Sequence, residues 1–146
     1  MLPCGTGLVL NATYYLALLA DACEGAGLPA EARIHLDAAI AAAKRSGERW
    51  FEPELHRLKG EWFLRHSPRG ETQAEIAFAH ALNRAKSQKA LLWELRAAVS
   101  LARFYNDRGR STHACELLSS VIAKFTEGLT SPELSQARAL FAALQP

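Results

Sequence analysis

The stretch ELHRLKGEWFLRHSPRGETQAEIAFAHALNRAKSQ, residues 54–88, decides the fold because it holds two helical patterns separated by a turn. Leu55, Leu58 and Trp62 recur at the spacing of one helix face. The Pro and Gly of HSPRGETQ then interrupt the pattern. A second run follows in which small residues flank the large Phe78. The stretch therefore predicts a pair of packed helices.

The same pattern occurs twice more, in residues 14–47 and 94–125. Small residues let two helices approach closely, and large apolar residues fill the groove opposite. A repeat of about 40 residues with this pattern predicts a helical solenoid. The aligned positions are Ala20, Gly60 and Ala102 in the first helices, and Ala32, Ala74 and Ala114, then Leu36, Phe78 and Leu118, then Ala39, Ala81 and Val121 in the second helices.

Turn and capping residues set the helix limits that we expect. Pro29 and Pro53 each begin a helix, where the missing N–H costs nothing, and Ser131 is expected to cap the last helix. Pro53 also places Glu52 outside the regular helix. The expected helices lie near 12–26, 29–46, 53–66, 71–87, 90–108, 111–124 and 132–144.

The predicted fold is all-α, a right-handed superhelical solenoid of three helix pairs plus a C-terminal capping helix. Residues 12–146 form a single domain in this interpretation, and residues 1–11 are a remnant of a preceding repeat or a flexible N-terminus. The predicted pairs span approximately 12–47, 52–88 and 90–126, with the capping helix at 131–145.

Composition argues against several classes of partner. The formal net charge is only +2, and few aromatic residues accompany the basic stretch 84–110, so we expect no nucleic-acid binding. The apolar stretch 7–20 is too short to span a bilayer and follows no basic segment, so we expect no membrane association. Cys4, Cys23 and Cys115 are widely spaced, which favours reduced thiols in a cytoplasmic protein. We expect the latter two to fill small core positions.

The acidic and histidine side chains of residues 49–64 raise the question of an acid–base site formed by Glu52, Glu54, His56 and Glu61. The packing interpretation is favoured, because the same helical layout recurs in units that lack these acids and the histidine. No H-E-x-x-H motif, His/Cys cluster or phosphate-binding loop is visible. The sequence therefore predicts a protein that is not an enzyme and has no catalytic residue, cofactor or metal ligand.

The units resemble tetratricopeptide (TPR) repeats in their small residue, their Gly-containing turn and their Ala–large–Ala spacing. TYYLALLADACEGAG, GERWFEPELHRLKGEWFL and FTEGLTSPELSQARALFAAL further resemble the C-terminal TPR segment of bacterial multidomain signalling ATPases, either cyclase-linked or LuxR-type AAA/STAND regulators. The resemblance covers residues 13–144. It implies regulation through protein or ligand sensing. The chain lacks the ATPase and cyclase motifs, so those activities are not carried over, and it is interpreted as a stand-alone tail.

The resemblance also implies a concave groove lined by the first helix of each pair. Its charges are acidic at one end and basic at the other, which would suit an extended or helical peptide of opposite polarity. We therefore expect a non-catalytic protein–protein interaction module of a bacterial signalling or transcription-regulating system, binding at the groove or an end face. A merely solvated groove is the alternative. The candidate partner-binding residues are Asp21, Glu24, Arg57, Glu61, Arg65, Arg96, Arg103 and Asn106.

Two further functions stay open at this stage. The chain could be a small-molecule effector-sensing tail of a signalling ATPase. It could also be a dimerisation module, because a solenoid cut at its N-terminal end exposes part of the apolar face of its first helix. That face includes Tyr14, Tyr15, Leu18 and Leu19, and it predicts a homodimer.

Overall fold

The computed structural model describes residues 12–127 and 130–146, and within these ranges the chain forms seven α-helices and no strand. The all-α prediction is confirmed, and each observed limit lies within two residues of the expected one. The expected remnant in residues 1–11 lies outside the described residues. The helices are α1 (Ala12–Gly25), α2 (Pro29–Ser46), α3 (Glu52–His66), α4 (Glu71–Ser87), α5 (Leu91–Asp107), α6 (Ser111–Ile122) and α7 (Pro132–Leu144).

Proline and serine residues begin the helices as the sequence predicts, with one correction. The Ser131 hydroxyl accepts a hydrogen bond from the backbone N–H of Leu134 at 3.3 Å, so it caps α7. Pro53 lies in the first turn of α3, where no intrahelical N–H is required. Glu52, however, is the first residue of α3 rather than a residue outside it. The prediction was wrong because the backbone N–H of Leu55 donates to the carbonyl oxygen of Phe51 at 3.2 Å, which starts the helix at Glu52.

Each described helix packs against the next along the chain, and closely packed pairs also occur between helices that are not neighbours in sequence. Helix α3 also packs against α5, and α5 also packs against α7. Helix α5 therefore has four packing partners, namely α3, α4, α6 and α7. This central position agrees with the burial of the helix, since nine of its residues are buried.

The aligned small and large positions form the core, as the sequence predicts. Ala32, Ala74 and Ala114 are fully buried, and Phe78 fills the space beside Gly60. A Cβ atom on Gly60 would lie 2.5 Å from Cε1 of Phe78, which is a severe overlap. A side chain at residue 60 would therefore displace Phe78 where α3 crosses α4.

The two cysteines in the described ranges differ from one another. Cys23 is buried, as expected, whereas Cys115 is only half-buried, so the prediction that it fills a core position was wrong. Cys115 lies on α6 beside a groove that α7 leaves open, so its side chain meets solvent on one side. None of the helices in residues 12–127 and 130–146 is both long enough and apolar enough to cross a bilayer.

Candidate functional site

Two adjoining depressions bring together seven of the eight candidate residues. One lies between α3, α5 and α7, and Arg57, Arg96 and Arg103 line it. The other lies between α1, α2 and α3, and its lining includes Asp21, Glu24, Glu61 and Arg65. Both depressions are formed largely by α1, α3, α5 and α7, which are alternate helices of the chain. We call this combined surface the charged groove.

Asn106 is the candidate residue that the depressions do not include. It is exposed near the end of α5, and its side-chain oxygen accepts a hydrogen bond from the Ser111 hydroxyl at 3.2 Å. The contact ties the end of α5 to the start of α6. Its position favours a local structural role at this turn.

An ion triad around the buried carboxylate of Glu54 lies in the middle of the charged groove. Glu54 is 6% exposed at its side chain and receives two hydrogen bonds from Arg57, at 2.7 and 2.9 Å. Arg96 of α5 donates two more, at 2.8 and 3.3 Å. Burial by itself would raise the pKa of Glu54, but hydrogen bonds and charge from the two guanidinium groups hold that pKa below its usual value. Glu54 is therefore ionised, and its hydrogen bonds to Arg96 link α3 to α5.

Ser100 of α5 connects the two depressions. Its hydroxyl donates to Glu61 at 3.1 Å and accepts from Arg57 at 3.4 Å. Burial tends to lower the pKa of Arg57, but Glu54 and Glu61 raise it overall. Three candidate residues of the middle of the groove, Arg57, Arg96 and Glu61, thus already have partners within the protein.

The acidic end of the groove is also partly neutralised. Glu24 of α1 lies 2.9 Å from Nε2 of His66 and 3.9 Å from Arg65. Arg65 keeps 56% of its side chain exposed and makes only long contacts. Asp21, one turn earlier on α1, is exposed and makes no ion pair with any described residue.

The basic end of the groove presents one arginine without an internal partner. Arg103 of α5 is exposed and forms no ion pair within residues 12–127 and 130–146. Its neighbour Arg96, two turns earlier, is committed to Glu54. Of the candidate charges, Asp21 and Arg103 are therefore the two most available to a ligand, and they have opposite sign.

A histidine cluster that no sequence motif marked lies between α3 and α4. Glu52 and His56 of α3 meet His80 of α4, and one possible ligand atom from each lies within 4.8 Å of the other two. The rings of His56 and His80 are 4.1 Å apart at their centroids. The spacing Glu52-x-x-x-His56 was a visible signal, because residues four apart share a helix face. His80 was not visible in this way, since only the packing of α4 on α3 brings it there.

An exposed apolar face occupies the N-terminal end of the described chain. Tyr15, Leu18 and Leu19 of α1 are 60%, 48% and 45% exposed. Tyr14 packs its ring 5.5 Å from Phe51 and 6.3 Å from Trp50 by centroid. The four α1 residues lie on one side of the helix, as the sequence predicts.

A groove that sequence reasoning missed runs between α6 and α7. It has a volume of about 860 Å³, and Cys115 lies on one wall with Phe141 and Leu144 on the other. Several serine and threonine side chains of α6 line it as well. The repeat pattern does not predict this groove, because one of its walls comes from α7, which lies outside the three predicted helix pairs.

No protein-family model, curated protein or solved structure matches the chain. The geometry of the charged groove and of the histidine cluster is therefore the basis for any functional assignment.

Proposed function

We propose that this chain is a TPR-like module of a bacterial signalling or transcription-regulating system, built as a right-handed superhelical solenoid of three helix pairs with α7 as its cap. The module is non-catalytic and cytoplasmic, and it binds a partner peptide in the charged groove. The observation that carries the proposal is that alternate helices line one groove with two available charges of opposite sign. Alternate helices share a face when helix pairs stack in a row.

The ion triad around Glu54 prepares the groove for binding. Arg57 and Arg96 are held by four hydrogen bonds to Glu54, so the middle of the groove is already ordered before a ligand arrives. A ligand then loses less affinity to the ordering of side chains.

The available charges define the polarity of the ligand. Arg103 favours an acidic residue of the peptide near α5 and α7, and Asp21 favours a basic residue near α1. Such charges act mainly on orientation and on the rate of association, while apolar contacts supply most of the affinity. Leu58 of α3, which is half-buried, provides apolar surface between the charged ends, and Val99 of α5 adds a little at 9% exposure.

The test is selection of binders from a displayed library of random peptides, followed by affinity measurement on the selected sequences. We expect enrichment of peptides that carry an acidic residue, and roughly tenfold weaker binding to the Arg103→Glu variant. Arg45→Glu is the matched control, because Arg45 is an exposed arginine of α2 outside both linings. Equal binding to the two variants, or no enrichment, would contradict the proposal.

A homodimer is the second candidate function, favoured by the exposed apolar face of α1. Tyr15, Leu18 and Leu19 are each close to half exposed or more, and contiguous apolar surface of this kind marks association sites. Light scattering at micromolar concentration should give the mass of a dimer. It should return the 16.0 kDa mass of one chain for the Leu18→Glu variant. A monomer in the unsubstituted chain excludes this second function and leaves the groove proposal untouched.

A further inference from the structure

The histidine cluster between α3 and α4 has the composition of a metal site. Glu52 and His56 are one turn apart at the start of α3, and Nε2 of His56 lies 3.6 Å from Oε1 of Glu52. His80 approaches from α4, with its possible ligand atom within 4.8 Å of the other two. A carboxylate oxygen and two imidazole nitrogens are thus gathered at one point.

Two atoms of this cluster are buried without a hydrogen bond. Glu52 is only 1% exposed, and neither its Oε1 nor Nε2 of His56 has a hydrogen-bond partner in the described part of the chain. Arg84 lies 3.4 Å from Oε1 but in a geometry that makes no hydrogen bond. Buried polar atoms are nearly always satisfied, and these two lie 3.6 Å apart, so one ligand could serve both.

We propose that Glu52, His56 and His80 bind one Zn²⁺ ion that bridges α3 and α4. Zinc takes nitrogen and carboxylate ligands at about 2.0–2.2 Å, which places tetrahedral ligand atoms roughly 3.3 Å apart. The Glu52–His56 distance is already near this value, and His80, which is exposed, closes the remainder by turning inward. Because His80 lies at the surface, the fourth position opens to solvent.

The surroundings of Glu52 leave Oε1 for the ion. Arg49 donates to the other oxygen, Oε2, at 3.4 Å, and hydrogen bonds of this kind orient ligating carboxylates. Arg49 and Arg84 keep 42% and 40% of their side chains exposed, so both can move toward solvent when a cation binds. Their charge makes the expected affinity weaker than that of a zinc finger.

Calorimetric titration of the full chain with ZnCl₂, without a histidine tag and after treatment with EDTA, tests the site. We expect one ion per chain and a loss of more than about tenfold in affinity for His80→Ala. His113→Ala is the matched control, since His113 is an exposed histidine on α6 beside Cys115. No binding to the unsubstituted chain, equal binding to His80→Ala, or a loss in His113→Ala instead would each overturn the proposal.

Thermal unfolding adds a readout that does not depend on heat of binding. Because the ion bridges two helices of the folded state alone, ZnCl₂ should raise the Tm of the unsubstituted chain and of His113→Ala. His80→Ala should show no rise, and circular dichroism without zinc should show that it folds. A rise of equal size in His80→Ala would assign the zinc effect to another part of the chain and overturn the site.

Discussion

Two buried glutamates lie two residues apart at the start of α3, and their surroundings differ in kind. Glu54 receives four hydrogen bonds from two arginines, one on its own helix and one on α5. Glu52 has only long contacts at 3.4 to 3.6 Å to two arginines and a histidine, and one of its oxygens has no hydrogen bond. The carboxylate of Glu54 is fully hydrogen-bonded and links α3 to α5. The carboxylate of Glu52 has one oxygen without a partner, and a bound cation can take that place.

The comparison shows how burial and pairing together determine what a charged group does. A buried charge is costly unless its hydrogen bonds are supplied. Where the protein supplies them all, as at Glu54, the group holds helices together and is not available to a ligand. Where the protein leaves a carboxylate oxygen without a hydrogen bond, as at Glu52, that oxygen is available to a ligand.

Glu54→Gln should have the largest effect. It leaves the two arginines without their carboxylate, and breaking a buried ion pair typically costs about 3 kcal/mol in the free energy of unfolding. Urea denaturation measures the loss. Glu71→Gln is the matched control, because Glu71 pairs with Arg108 at 2.9 Å but is 68% exposed, so its loss should stay below about 1 kcal/mol. Equal losses in the two variants would show that the triad contributes no more than a surface pair.

Gly60→Ala should disturb the surroundings of Glu52 and leave those of Glu54 unchanged. The new Cβ meets Phe78 of α4, so it disturbs the α3–α4 contact that holds His80 and spares the α3–α5 contact that holds Arg96. Overpacking typically costs about 1–3 kcal/mol, and the better helix propensity of alanine offsets up to about 1 kcal/mol. Urea denaturation should give a net loss of about 1–2 kcal/mol. A gain in stability would mean that α4 moves aside without strain.

Acid should reduce stability at a different pH for each of the two glutamate surroundings. His56 beside Glu52, His80 and Lys59 has a pKa of about 4 in the folded chain against an ordinary value of 6.5. Between these values the unfolded chain binds the extra proton, so stability falls as the pH falls from about 6.5 toward about 4. Because His56 is partly solvated, we expect a loss of about 1 kcal/mol by pH 5 that His56→Gln lacks.

Glu54 responds in a lower window, because its pKa is held below the usual 4.5. The unfolded chain takes up this proton first, so the contribution of Glu54 is lost only as the pH falls below about 4.5. Urea denaturation over a pH series should therefore show the His56 loss before the Glu54 loss. A His56→Gln variant with the same pH profile as the unsubstituted chain would contradict this assignment.

Arg103→Glu should have the smallest effect on stability. The side chain is exposed and has no ion pair within the described ranges, and surface substitutions usually change the free energy of unfolding by less than about 0.5 kcal/mol. Urea denaturation checks this value. A larger loss would show that Arg103 supports the fold in the way Arg96 does, and it would remove the clearest available charge from the groove.

Most of the fold was predictable from local signals. The spacing of small and large residues located the helix pairs, and residues such as Pro29 and Ser131 set helix limits because their effects act within one turn. The aligned core positions Ala74, Phe78 and Ala114 followed from the repeat itself. These features depend on near neighbours or on periodicity, and both are visible in a single sequence.

The candidate sites were predictable only in part, because side-chain pairing depends on distances between helices. The sequence identified Arg57 and Arg96 as groove residues, but it did not show that Glu54 would take both of them. It also placed Glu52 outside α3, and it gave no sign that His80 would meet His56. His56 and His80 belong to no repeated position, so the alignment of the units held no information about their contact.

The central position of α5 has a consequence for how the molecule opens. Because α5 packs against α3, α4, α6 and α7, its backbone amides can exchange with solvent only when most of the chain unfolds together. Helix α1 packs mainly on α2 and carries an exposed apolar face, so it can detach at a lower free energy. Different helices of the protein therefore open at different free energies. The acidic end of the charged groove lies on α1, which opens first, and the basic end lies on α5, which opens last.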